Sequence, residues 1–143
     1  MPTIVPLAPA DIPEVLALWA QTEGMSLRDA DSPEALGRFL ERNPGCSFIA
    51  RRQGRLAGVA LAGHDGRRGY LYHVAVAATE RRQGVGRGLV EHCLTALYDQ
   101  GILKSHLFVF DHNEEGKKFW RRLGFQERPL RIMSITRTGS ENA

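Results

Sequence analysis

One short segment constrains this chain more than any other: Arg81-Arg82-Gln83-Gly84-Val85-Gly86-Arg87-Gly88, set between the strand-like run Tyr70-Leu71-Tyr72-His73-Val74-Ala75-Val76 and a helical repeat. Glycines without Cβ let backbone approach a bulky anion, and the unpaired N–H groups and positive dipole end of the following helix face that anion. Arg82 and Arg87 add charge-assisted contacts to such a group. A Walker loop needs Gly-Lys-Ser/Thr, which is absent, and a Rossmann fingerprint needs G-x-G-x-x-G where this segment reads Gly84-x-Gly86-x-Gly88. Taken alone, a tight turn after a strand explains the glycines as well as an anion site does.

The flanking sequence supplies the elements around this turn. Thr3-Ile4-Val5-Pro6-Leu7 reads as a first strand, followed by a helix capped by Asp11 and carrying Ile12, Val15, Leu16 and Trp19 on one face. Ser32-Pro33-Glu34 is a cap with proline at the first helical position, leading into Leu36, Phe39 and Leu40 and closed by Pro44-Gly45. Ser47–Ala50 and Leu56–Leu61 are strands joined by a hairpin turn at Gln53-Gly54. From Val85 to Tyr98, Leu89, Val90, Cys93, Leu94 and Leu97 recur at helical spacing, and Gly101 closes that helix. Leu107-Phe108-Val109-Phe110 reads as a buried strand, Asn113 caps a last helix ended by Gly124, and a final strand is expected around Leu130 to Ile135. The order βααβββαβαβ implies a mixed α/β architecture of the α+β kind, with helices on the faces of a sheet and one right-handed strand-helix-strand unit at the glycine turn.

Length and charge close off other classes. The 143 residues fit a single domain, 1–143, with a core from about 3 to 136 and a flexible tail 137–143. A hydrophobic fraction of 43% and a charged fraction of 24% describe a globular protein. No apolar run is long enough to span a bilayer, and the N-terminus lacks the basic and apolar regions of a signal peptide, so no membrane association and a cytoplasmic location are expected. Cys46 and Cys93 lie far apart without metal-ligand spacing; buried thiols and no metal are expected. The net charge of +3 is spread over short basic pairs interspersed with acids, a poor footprint for nucleic acid.

The arrangement Arg81-x-x-Gly84-x-Gly86 after a strand resembles the acetyl-CoA motif of the GCN5-related N-acetyltransferases (GNAT), specifically a small uncharacterised bacterial branch suggested by Gly63-His64-Asp65-Gly66-Arg67-Arg68-Gly69-Tyr70. Downstream, Asn113-x-x-Gly116-x-x-Phe119-Trp120-x-x-x-Gly124-Phe125 resembles the next helix of that family. The resemblance implies a twisted, mostly antiparallel sheet of about six to seven strands flanked by four helices, with a splayed strand pair at the cofactor cleft. It implies acetyl-CoA as donor, an amine as acceptor, and the possibility of a homodimer. The pantetheine arm would bond the backbone of Val74, Ala75 and Val76, and the diphosphate would lie on the segment from Arg81 through Gly88, including Arg82, Gln83, Val85, Gly86 and Arg87. Asn113, Gly116, Phe119 and Trp120 would meet the cofactor from the following helix.

Direct attack of a neutral amine on the thioester requires a proton acceptor and an oxyanion donor, the latter expected at the Ala75 backbone N–H. The family's acid and base positions fall on Trp120 and Phe108, neither of which can transfer a proton. Tyr70, Tyr72 and His73 are the remaining candidates; alternation puts Tyr70 and Tyr72 on one face of the strand and Leu71 and His73 on the other. An acid in the Glu23 to Asp31 loop, Asp65 or His64 can serve through water. Acceptor contacts are expected from Thr22–Asp31, His64–Gly69 and Arg128–Arg137. A non-catalytic acyl-CoA binding or sensing module stands as the alternative, motivated by Trp120 and Phe108.

Overall fold

The computed structural model describes residues Met1–Ala143, which divide into two compact units, Met1–Leu107 and Phe108–Ala143. The first holds a five-stranded sheet in the order β1-β2-β3-β4-β5: β1 Thr3–Pro6, β2 Phe48–Arg52, β3 Arg55–His64, β4 Gly69–Val76 and β5 Ser105–His106. Neighbours from β1 to β4 are antiparallel, and β5 is parallel to β4. The β2–β3 turn places Gln53 at φ 50° and Gly54 at φ 78°, the pair of positive φ values that a tight hairpin of right-handed strands requires.

Three helices cover the sheet: α1 Ile12–Ala20, α2 Pro33–Arg42 and α3 Val85–Asp99. Val59 and Leu61 of β3 pack with Ile12, Val15 and Trp19 of α1 and Leu36 of α2. A Cβ on Gly58, the residue before Val59, would meet Leu89 and Val85 of α3 instead, so α3 lies on the opposite face. The sheet is thus covered on both sides. Ser32 caps α2 as expected, accepting from Ala35 N–H at 3.1 Å. Asp11 occupies the N-cap of α1 without a cap bond into the helix; its carboxylate accepts from Ala8 N–H and from Arg51, both at 2.9 Å.

The second unit contains α4, Glu114–Arg122, capped by Asn113, whose Oδ1 accepts from Gly116 N–H at 2.9 Å. Two expected strands are absent. Leu107–Phe110 is irregular, with Phe108 and Phe110 exposed, because the ladder with β4 ends at His106. Leu130–Ile135 finds no ladder partner, and Leu130, Ile132, Met133 and Ile135 are exposed. The sheet therefore has five strands where six to seven were expected.

Candidate functional site

The glycine turn is built by backbone conformation. After β4, a 3-10 turn at Ala78–Glu80 leads to Arg82 at φ 64° and Gly84 at φ 79°, two left-handed residues separated by Gln83. Left-handed residues in such a turn swing successive N–H groups toward one concave side, an anion-binding geometry. The helix bond from Gly88 N–H ends on Gly84 C=O at 3.0 Å, which leaves the amides of Val85, Gly86 and Arg87 without acceptors inside α3. Gly84, lacking a side chain, provides no cap for them. Val85 is buried and pins this first turn to the core.

The surrounding side chains divide by task. Arg81 Nε donates to Val76 C=O at 3.2 Å and thereby ties the turn to the end of β4. Arg52 reaches from β2 to Glu80 at 2.7 Å and to Gln83 Oε1 at 3.4 Å, a bracing role that the sequence did not reveal. Arg87 pairs with Glu91 at 3.0 Å. Arg82 alone of the turn's three arginines is without such a protein partner and is exposed. Gly88 is close to β1: a Cβ there would lie 2.9 Å from Ile4 Cδ1, so this glycine has a packing reason of its own.

β4 has a strand on both sides only at its start, where Gly69 pairs with Ser105 and Tyr70 with His106. From Leu71 to Val76 its sole ladder partner is β3. Within that stretch Val59 opposes Ala75 while Leu61 opposes Tyr72, so Ala60 faces both His73 and Val74. His73 absorbs this bulge at φ 48°. Ala77 N–H donates to Ala57 C=O at 2.8 Å, and antiparallel alternation from that bond turns the Ala75 N–H toward Val59. Ala75 is therefore not placed as an oxyanion donor; the backbone of Val76 is directed away from β3, in keeping with the Arg81 contact to its carbonyl.

The bulge also overturns the expected face of His73. Its ring meets the Trp19 indole of α1 edge-on at 4.9 Å, and Nε2 lies 3.1 Å from Asp31 Oδ1, on the same side as Tyr72, which joins the core cluster of α1 and α2. Simple alternation would have sent the ring toward α3. Tyr72 stacks with Tyr70 at 6.2 Å and contacts Phe39 edge-on at 6.1 Å, while Tyr70 meets His106 at 5.7 Å. Burial, and to a smaller degree the neighbouring Tyr70, pushes the Tyr72 phenol above its ordinary range. It is a proton donor at neutral pH, not a base.

Two other candidates are committed elsewhere. Asp65 Oδ1 accepts from the N–H groups of Arg67 and Arg68, each at 2.8 Å, and these backbone bonds hold its carboxyl below the usual range. His64 is held on both ring nitrogens, Nε2 by Gln100 Oε1 at 2.9 Å and Nδ1 by Gly66 N–H at 3.0 Å. In the second unit, Trp120 packs edge-on against Phe119 and Phe125 at 4.9 and 5.2 Å. A Cβ on Gly116 would overlap the Asn113 side chain, so glycine here leaves the cap room to form. No group of three His, Cys, Asp or Glu side chains is placed to share a metal ion, and no helix is long and apolar enough to cross a membrane.

Comparison with known proteins adds to this geometry. The model of the acetyltransferase (GNAT) family matches residues 12–125. An acetyltransferase of Pectobacterium atrosepticum is 27% identical over 117 residues, covering 81% of this chain and 82% of that protein. The ribosomal-protein-S18-alanine N-acetyltransferase from Escherichia coli is similar in structure with a TM-score of 0.75 at 25% identity, over 90% of this chain and 79% of that one. AAC(6')-Iy, solved with the bisubstrate analogue CoA-S-monomethyl-acetylneamine, gives a TM-score of 0.78 at 21% identity, over 96% of this chain and 99% of that one.

Proposed function

Because the chain belongs to the GNAT family of acetyltransferases, we propose that it transfers an acetyl group from acetyl-CoA to a primary amine of a small molecule or protein. The observation that carries this reading is the start of α3, where left-handed Arg82 and Gly84 precede three amides without helix acceptors. That concavity suits a diphosphate. The one-sided stretch of β4 supports the pantetheine assignment: an extended amide-bearing arm can bond the outward backbone of Val76 as a further strand would. Val74, beside it in the bulge, is assigned to the same arm. Asn113, Gly116, Phe119 and Trp120 remain assigned to coenzyme A on their motif.

The relatives support the donor and acceptor classes. One structural neighbour was solved with an analogue containing CoA, and another is named as an N-acetyltransferase of a protein alanine. In the proposed reaction, the amine nitrogen attacks the thioester carbonyl, the carbon–sulfur bond breaks, and coenzyme A leaves as a thiol. A non-catalytic acyl-CoA module is the second reading, motivated by Trp120 and Phe108 at positions where the motif resemblance implies proton-transfer groups; turnover with any amine eliminates it.

Calorimetry with coenzyme A on the wild type and on Gly84→Asp is the direct test. A carboxylate in the concavity opposes the diphosphate, and affinity should fall about tenfold or more, corresponding to at least roughly 1.4 kcal/mol. Equal affinities would remove the diphosphate from this turn.

A further inference from the structure

We propose that His73 and Asp31 form the proton-accepting dyad of the transfer, with His73 Nδ1 as the base and Asp31 as the positioning residue; the inference rests on the acetyl-transfer reading above. Its starting point is the bulge. A non-glycine residue held at positive φ is strained and persists only where the surroundings over-determine it. Here they do: Trp19 Nε1 donates to the His73 carbonyl at 3.0 Å, the Trp19 ring edge meets the imidazole, and Asp31 takes its Nε2. The strain is spent on turning one imidazole to the face that carries Tyr72.

Asp31 is fixed independently. Its Oδ2 accepts from Arg28 N–H at 2.9 Å, closing the 3-10 turn Asp29–Asp31, which leaves Oδ1 for the imidazole. The Asp31 side chain is 11% exposed and that of His73 26%, so the carboxylate is sheltered while the ring remains reachable. A carboxylate accepting from Nε2–H selects the tautomer with its lone pair on Nδ1 and stabilises the imidazolium once it forms. His73 is the one histidine of the chain paired with a carboxylate. The groups in contact with its ring are the Asp31 carboxylate from the turn and the uncharged Trp19 indole from α1; Tyr72 precedes it on β4 and the apolar Ala60 lies across the ladder.

The proton balance is complete. An acceptor ammonium gives one proton to Nδ1, and the neutral amine forms the nitrogen–carbon bond to the thioester carbonyl. Collapse of the adduct breaks the carbon–sulfur bond, and the surplus proton on the new amide nitrogen passes to the thiolate. The imidazolium then returns its proton to solvent, leaving acetylamide, coenzyme A thiol and one proton.

The test compares acceptors that need a base with one that does not. Acetyl-CoA turnover by the full chain is measured with 1,4-diaminobutane, with a short peptide bearing a free N-terminal alanine, and with hydroxylamine, which is neutral at pH 7.5. His73→Asn, a residue tolerant of positive φ, should lower kcat/KM at least about 100-fold for 1,4-diaminobutane, less for the peptide, whose α-amine is already partly neutral at that pH, and change the hydroxylamine rate less than about threefold. His73→Gly, which fits the bulge without strain, should recover rate on addition of free imidazole. Asp31→Asn should lower kcat about tenfold or more and move the acidic limb of the pH profile, with KM for acetyl-CoA unchanged. Equal losses on all acceptors, no imidazole rescue and a wild-type pH profile would reduce the pair to a structural tie and overturn the dyad. Wild-type turnover with none of the acceptors would overturn the transferase reading itself.

Discussion

The indole N–H of Trp19 donates to the main-chain carbonyl of His73 across 3.0 Å, so a buried side chain of α1 holds the left-handed residue of β4 in place. Trp19→Phe removes that donor and part of the core volume. The loss should be about 2–4 kcal/mol, combining an unsatisfied carbonyl with a partial cavity. Urea unfolding measures it, and a change below about 1 kcal/mol would show that the bulge holds without the indole.

Two glycines facing α3 and β1 should respond differently to alanine. A Cβ on Gly58 would lie 3.0 Å from both the Ala75 carbonyl oxygen and Leu89 Cδ1, and 3.3 Å from Val85 Cγ1. The carbonyl cannot yield without moving β4, so Gly58→Ala should cost about 1–3 kcal/mol. Gly88→Ala meets only the flexible end of Ile4 at 2.9 Å and should cost less than about 1 kcal/mol. Paired denaturant titrations check the order; a costlier Gly88 variant would contradict it.

Burial pushes the Cys93 thiol from an ordinary 9.0 up to about 12, with Cys46 adding to the effect. Between those values the folded chain keeps a proton that the unfolded chain loses, so stability falls as pH rises above 9 and the contribution is gone near 12. The decline from one such proton is on the order of 1.4 kcal/mol per pH unit at most. Stability measured from pH 8 to 11 should flatten in Cys93→Ala. Both thiols should resist iodoacetamide until the chain unfolds, because both are fully buried.

Arg51 joins β2 to α1 through Asp11 at 2.9 Å and Glu14 at 2.7 Å, and its hydrogen bond holds the Glu14 carboxyl below the ordinary range. Stability from Glu14 is therefore present above the ordinary carboxylate pKa and lost as pH falls through the lowered one. Glu14 is half exposed, and solvent screening limits the pair to less than about 1 kcal/mol. Arg51→Met should raise the acid-unfolding midpoint slightly and leave neutral-pH coenzyme A affinity unchanged.

Most of this fold was legible because its local signals agree with its packing. Ser32-Pro33, Gly54, Asn113 and Gly124 each took the cap or turn conformation that residue type favours, and the apolar repeats placed α1, α2 and α3 within a few residues. The strands at Leu107–Phe110 and Leu130–Ile135 failed because an apolar run encodes the capacity for a strand, while a strand also needs a ladder partner. At the site, Arg81 and Gly84 announced the turn, but Arg52 and Trp19 act through contacts that only the fold creates. Alternation put His73 on the face opposite Tyr72 for a specific reason: it assumes one residue per step, and neither its side chain nor its neighbours signal the bulge that breaks the count.

That extra residue makes β4 two strands of opposite phase spliced end to end. Before the splice, even-numbered Tyr72 lies with α1 and α2; after it, odd-numbered Ala75 does. Deleting one residue at 73–74 would restore a single reading frame for the strand, yet it would slide Val76 and the whole glycine turn by one register step relative to the aromatic rings upstream. The chain thus sets the spacing between its glycine turn and the aromatic face of β4 by an integer.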